Sequence, residues 1–140
     1  MTQYPNRPKK PFPSNPAGTY EELPTMSFNR AEKLYLRILY VDNRITLHFN
    51  DTLLYAIDSG NGPFNDRVPL WPHIPTGPDS VVSVAGYNLT GNTSNPWHIA
   101  WRLEIGTEAN PEIILKRDLN GVAFDEDYPC TITIINLKLI

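Results

Sequence analysis

The feature that most constrains this chain is a succession of short apolar segments separated by turn-forming residues, from about Met26 to the C-terminus. The segments are rich in β-branched and aromatic residues, and none of helical length shows a 3.6-residue period. Short strands at regular spacing are typical of a β-sandwich or barrel. With 140 residues, one domain with one core is expected. The predicted strands are 34–41, 44–49, 52–57, 80–87, 97–105, a shorter one at 112–117, and 130–140.

The segment WHIAWRLEI, residues 97–105, shows the strand pattern most clearly. Alternate residues of a strand share one face, and one face here is apolar throughout: Trp97, Ile99, Trp101, Leu103 and Ile105. We therefore predict that Trp101 lies in the core, whereas Trp97, at the entrance of the strand, could face either way. The residues between them are predicted to point outward, where they meet solvent or pair across the sheet: His98, Ala100, Arg102 and Glu104.

Residues 1–25 differ from the rest of the chain because they contain six prolines and show no strand or helix period. Proline fixes φ and lacks an N–H donor, so an extended, polyproline-like arm is expected. The sequence thus divides into an arm, 1–25, and a sandwich, 26–140. One interpretation of the arm is a linker. The other, which we favour, is an arm that docks on another subunit through the side chains of Tyr4, Phe12 and Tyr20.

Composition excludes several classes of function. The net charge is −3, so no basic stripe for nucleic acid is expected. The single cysteine, Cys130, excludes an internal disulfide and is interpreted as a buried thiol. No signal peptide and no apolar run long enough to cross a membrane is seen. The localisation is therefore unknown, with a virion or a cytoplasmic assembly expected rather than classical secretion.

Catalytic and metal-binding patterns are equally scarce. No nucleophile motif of the G-x-S-x-G type occurs, and the three histidines fall on separate segments, so we expect no enzyme activity and no cofactor. The densest acidic group is 125–127. It is interpreted as a solvated loop or as part of a structural calcium site, for which the sequence provides no complete ligand set.

The loop 58–79 carries the most promising binding residues. Trp71 stands between prolines in LWPHIP, and a tryptophan on a stiff backbone can stack on a sugar or anchor in a partner. Asp66, Arg67 and His73 could add directed hydrogen bonds to such a ligand. The alternative is that Trp71 folds back as a lid over one end of the sandwich.

Three stretches in order carry a family resemblance. They are VDNRITLHFND at 41–51, with Asn50-Asp51 in place of Asn-Gly, WPHIPTGPDSVVSVAGYN at 71–88, and NPWHIAW at 95–101. Together they resemble the galactose-binding-domain-like jelly roll, which is the β-sandwich of many carbohydrate-binding modules and phage tail proteins. The resemblance implies a jelly-roll fold for the body, and it supports the fold better than any ligand.

Two functions follow as expectations. The first is a non-enzymatic structural or adaptor subunit of a larger assembly, of phage tail or virion type, in which the arm docks on neighbouring subunits in a homo- or hetero-oligomer. The second is a lectin or carbohydrate-binding module that recognises glycans through its aromatic-bearing loops.

Overall fold

The computed structural model describes residues 19–88, 96–122 and 129–140, and these residues form two β-sheets. In this part of the chain the only helical segment is one short 3₁₀ turn, Trp71–His73. The strands are β1 Thr19–Glu22, β2 Met26–Phe28, β3 Leu34–Asp42, β4 Arg44–Phe49, β5 Thr52–Ile57, β6 Gly62–Pro69, β7 Asp79–Tyr87, β8 Trp97–Ile105, β9 Glu112–Gly121 and β10 Thr131–Leu139.

The two sheets form a sandwich. The six-stranded sheet has the order β1-β10-β7-β4-β5, and β2 also pairs with β10; the four-stranded sheet has the order β6-β3-β8-β9. Most connections carry the chain from one sheet to the other, as in many β-sandwiches. The predicted all-β sandwich is therefore confirmed.

The hairpin between β4 and β5 follows directly from the sequence. Asn50 and Asp51 form its turn with φ of 48° and 69°. Two-residue hairpin turns favour positive φ at both positions because that backbone twist matches the strands, and Asn and Asp tolerate this conformation better than most residues. The Asn50 side chain reinforces the turn, since its amide donates to Ser80 Oγ at 3.0 Å and its oxygen accepts from Val81 N–H at 2.8 Å.

The core lies between the sheets and is built from alternate residues of the strands. Trp97 and Trp101 are both fully buried, so the prediction for Trp101 is confirmed and Trp97 also faces inward. Other fully or almost fully buried apolar side chains come from both sheets: Leu36, Ile38, Val41, Ile45, Leu47, Phe49, Val82, Val84, Ile99, Leu103, Ile135, Leu137 and Leu139.

Two segments differ most from the sequence-based expectation, and smaller differences are β2, which was not predicted, and β9, which continues to Gly121 beyond the predicted 112–117. The stretch 58–79, predicted as a loop, contains β6, which pairs with β3 at the edge of the four-stranded sheet. Its prolines, Pro63 and Pro69, lie at the two ends of the strand, where a missing N–H is tolerated. The prediction missed this strand because glycine, proline and asparagine dominate the segment.

The second difference concerns the arm. Residues 19–22 were expected to lie on another subunit, but as β1 they pair in parallel with β10 of their own chain, from Thr19 opposite Thr131 to Glu22 opposite Ile134. This four-residue stretch contains no proline, so no N–H donor that the ladder needs is missing. Glu21 adds a bidentate ion pair to Arg117 on β9, with N–O distances of 2.9 and 2.8 Å, which joins the two sheets at this edge. Tyr4 and Phe12 lie outside the described residues.

Truncating the buried Trp101 tests the core directly. Trp101→Ala should lower the free energy of unfolding by about 3–5 kcal/mol, because it leaves a large cavity between the sheets. Urea denaturation followed by circular dichroism measures the loss. Trp71→Ala is the matched control and should cost about 1 kcal/mol or less, since Trp71 is 39% exposed. Equal losses for the two variants would contradict the assignment of Trp101 to the core.

Candidate functional site

The outer face of the four-stranded sheet contains a buried carboxylate shared by three arginines. Glu104 lies on β8, is fully buried, and accepts hydrogen bonds from the Nε atoms of Arg37, Arg67 and Arg102. The Arg37 and Arg67 bonds are both 2.9 Å long. The arginines come from three strands, since Arg37 is on β3, Arg67 on β6 and Arg102 on β8 itself. We call Glu104 and these three arginines the arginine cluster.

Further contacts hold two of the arginines in place. The Arg67 guanidinium lies 3.6 Å from the centre of the Tyr35 ring, and its Nη2 donates to the Gly106 carbonyl oxygen at 2.8 Å. Arg37 Nη1 donates to Asn65 Oδ1 at 2.5 Å and lies 3.7 Å from a carboxylate oxygen of Glu108. Because these donors are satisfied within the protein, Arg37 and Arg67 act as structural partners of Glu104.

The cluster keeps Glu104 ionised well into the acid range. Burial alone raises the pKa of Glu104, but the hydrogen bonds from Arg37, Arg67 and Arg102 outweigh burial and lower the pKa to about 2. A carboxylate in this position costs solvation energy, and the surrounding guanidinium groups offset that cost. The charge of Glu104 is therefore part of the folded structure at neutral pH.

The sequence-based prediction for this face was only partly right. His98 and Arg102 are partly exposed as expected, but Glu104, which was also expected to meet solvent, is fully buried. Its arginine partners on β3 and β6 are distant in the chain, and a sequence does not show the register that brings Arg37 and Arg67 beside it. The only signal of this cluster in the sequence was the strand pattern of residues 97–105, which places Arg102 and Glu104 on the same face.

The four predicted ligand-binding residues do not share one environment. Arg67 belongs to the arginine cluster, whereas Asp66, the preceding residue of β6, accepts a hydrogen bond from the Tyr55 hydroxyl of β5. Successive strand residues point to opposite faces, which separates these two side chains. Trp71 and His73 lie in the 3₁₀ turn and are exposed.

Trp71 stands at the loop end of the sandwich. The Lys33 ammonium lies 4.7 Å from the centre of its ring, a cation–π contact. Lys33 also lines a shallow, open depression of about 260 Å³ together with Glu32, Ile105, Gly106, Asn110 and Glu112. Lys33 therefore contacts the exposed Trp71 ring and also lines the depression beside it.

The outer face of the six-stranded sheet contains an apolar cluster. Ile132, Ile134 and Ala85 point away from the core yet are fully buried, and Val81 and Tyr87 pack against them. We call these five residues the outer apolar face.

His48 lies beside this face on β4. Burial lowers the pKa of His48 to about 4, although the nearby Asp51 charge acts to raise it, so this imidazole is neutral at pH 7.

Neither a metal centre nor a nucleophile emerges from the described residues. Within residues 19–88, 96–122 and 129–140, no three His, Cys, Asp or Glu side chains come together as metal ligands. The acidic group 125–127, considered as a calcium site, lies outside these ranges. Cys130 is buried, as expected. None of the helical structure in the described ranges is long and apolar enough to span a membrane.

Comparison with protein-family models, curated proteins and solved structures found no match to this chain. The proposals for function below therefore use only the fold and the two outer faces of the sandwich.

Removing the charge of Glu104 tests the arginine cluster. Glu104→Gln keeps the side-chain size but leaves three arginines without a shared anion, so we expect the free energy of unfolding at pH 7 to fall by about 3–5 kcal/mol in urea denaturation. Glu108→Gln is the control, and it should cost less than about 1 kcal/mol because that carboxylate is largely exposed.

The same variant has a predicted pH signature. The pKa of Glu104 is lower in the folded chain than its ordinary value of 4.5, so its stabilisation is complete above pH 4.5 and is lost as the pH falls toward 2. Glu104→Gln should lack this part of the acid dependence. Parallel pH–stability curves for the wild type and the variant below pH 4.5 would contradict the role assigned to Glu104.

Proposed function

We propose that the protein is a non-enzymatic structural or adaptor subunit of a larger assembly, in which the proline-rich N-terminal arm docks on a neighbouring subunit. The observation that carries this proposal is the outer apolar face, a strand surface that points away from the core and carries two isoleucines. These side chains are fully shielded from water, and an apolar surface outside the core that is shielded in this way is suited to a docked segment of chain such as the arm.

The position of β1 supports the arm as the occupant of that face. Tyr20 lies opposite Ile132, so the arm joins the body at the margin of the outer apolar face. Residues 1–18 contain five of the prolines of the predicted arm and two aromatic residues, Tyr4 and Phe12. In an extended form this segment would reach about 55 Å, enough to pass to the same face of an adjacent copy. A segment poor in N–H donors docks through side chains, which an apolar face suits.

Deletion of the arm tests this proposal. The deletion should remove residues 2–18 and retain β1, because β1 belongs to the sheet. We expect the shortened chain to stay folded and to show a smaller mass in solution than the full chain, measured by light scattering over a concentration series. An unchanged mass would overturn the proposal, and an unchanged mass with lower stability would show that the arm docks on its own body.

A substitution on the acceptor surface provides the matched experiment. Ile134→Thr keeps a β-branched residue on β10 while removing apolar area, and it should weaken assembly of the full chain. Ile113→Thr, a similar change at an exposed position on β9, should not. A circular dichroism melt of both variants separates loss of assembly from loss of folding.

Carbohydrate binding is the second candidate. It is supported by exposed Trp71 beside the polar depression that Lys33 lines, and by the resemblance of the chain to galactose-binding-like jelly rolls. An aromatic face with a few directed polar groups is the usual composition of a sugar site. A glycan array should then give hits that Trp71→Ala abolishes and that Lys138→Gln, an exposed change on β10 of the six-stranded sheet, retains. No hits, or hits insensitive to Trp71→Ala, would remove this candidate.

A further inference from the structure

We propose that the outer face of the four-stranded sheet binds a saccharide that carries a carboxylate group. The site is a strip of five residues, Tyr40, His98, Ala100, Arg102 and Lys116, which we call the outer strip. The inference deepens the carbohydrate-binding candidate, but it places the ligand on a different surface from Trp71. It rests on the placement of these residues on three neighbouring strands and on their charges.

The register of the strands brings the outer strip together. On β8, His98, Ala100 and Arg102 alternate on the outer face. Tyr40 of β3 lies directly opposite Ala100, and Lys116 of β9 lies directly opposite Arg102. From His98 to Arg102 the strip extends about 13 Å along the strand, a length that accommodates a disaccharide.

One end of the strip has two cations that face each other. Arg102 uses its Nε to hold Glu104, and within the described ranges its terminal nitrogens donate no hydrogen bond. Lys116 is exposed, and no carboxylate of the described residues lies within 4.0 Å of its ammonium group. Like charges directly opposite on adjacent strands destabilise a sheet. A carboxylate bound between them would neutralise this repulsion.

The arginine cluster fixes the position of Arg102 and leaves net positive charge around it. Three guanidinium groups share Glu104, and Glu108 approaches only Arg37, so the cluster retains positive charge next to Lys116. Because Glu104 is buried and fixes the Nε side of Arg102, the terminal nitrogens are held at the surface. A guanidinium group held in this way can bind a carboxylate through two parallel hydrogen bonds at a small cost in entropy.

The other end of the strip is suited to a sugar ring. Tyr40 and His98 are stacked, with ring centres 4.2 Å apart and planes inclined by 30°, and both side chains are partly exposed. His98 Nε2 lies 2.6 Å from Asp118 Oδ1, which fixes the imidazole and leaves the Asp118 carboxylate as an acceptor for sugar hydroxyls. Ala100, a small and buried side chain, lies between this aromatic pair and the cations, and the exposed Asp118 lies directly opposite it on β9.

The experiment compares two oligosaccharides that differ in charge. Oligogalacturonate and neutral galactan of the same length are titrated into the full chain by calorimetry at low salt. We expect the uronate to bind at least tenfold more tightly than the neutral sugar, and its affinity to fall as the salt concentration rises. Equal affinities, or no binding of the uronate, would overturn the proposal.

Variants locate the site. Lys116→Gln should weaken uronate binding about tenfold while leaving the melting temperature unchanged, whereas Lys138→Gln, an exposed lysine on β10 of the other sheet, should leave binding unchanged. Tyr40→Leu should weaken binding of both sugars. Uronate binding that is lost in Trp71→Ala but kept in Lys116→Gln would overturn this site and leave the Trp71 candidate standing. The opposite result would support the outer strip alone.

Discussion

Strand β8 is the constraint on which the rest of the sandwich depends, because it buries two tryptophans on its inner face and a carboxylate on its outer face. Its inner face inserts Trp97 and Trp101 between the sheets, where they are fully shielded from water. Its outer face carries Glu104, which would be costly to bury without the arginines of β3 and β6. Apolar packing thus holds the two sheets together, and one shared anion fixes the register and order of three strands within a sheet.

The two outer faces of the sandwich have opposite chemical character. The four-stranded sheet has charged and aromatic side chains on its outer face, whereas the outer face of the six-stranded sheet holds the buried side chains of Ile132, Ile134 and Ala85. Such a division suits a body that uses one face for contact with other chains and the other for a polar ligand. It also makes the structural and the carbohydrate-binding proposals compatible, since they require different surfaces of the same domain.

The sequence predicted those elements whose signal is local. Strand β4, with Ile45, Leu47 and Phe49 alternating, was predicted with the bounds that the structure shows, and the apolar face of β8 placed Trp101 correctly. Strand β6 was missed because its glycine, prolines and asparagine resemble a loop, and it is ordered by pairing with β3. Strand β1 was missed because four residues have too few alternations to show a period. In both strands tertiary pairing overrides a weak local preference.

The arginine cluster could not be predicted, for a related reason. A fully buried Glu104 depends on Arg37 and Arg67, which lie 67 and 37 residues away along the chain, and only sheet register makes them neighbours. The predicted ligand residues Asp66 and Arg67 lie apart for the opposite reason. Asp66 and Arg67 are adjacent in sequence, but the period of two in a strand directs them to different faces.

The parallel pairing of β1 with β10 has a mechanical consequence. A pull on Thr19 along the strand axis would load the β1–β10 ladder in shear, so that its hydrogen bonds resist together instead of opening one after another. The bidentate Glu21–Arg117 ion pair anchors the same strand to the opposite sheet. Tension that arrives through the N-terminal segment is therefore passed to both sheets of the body at once.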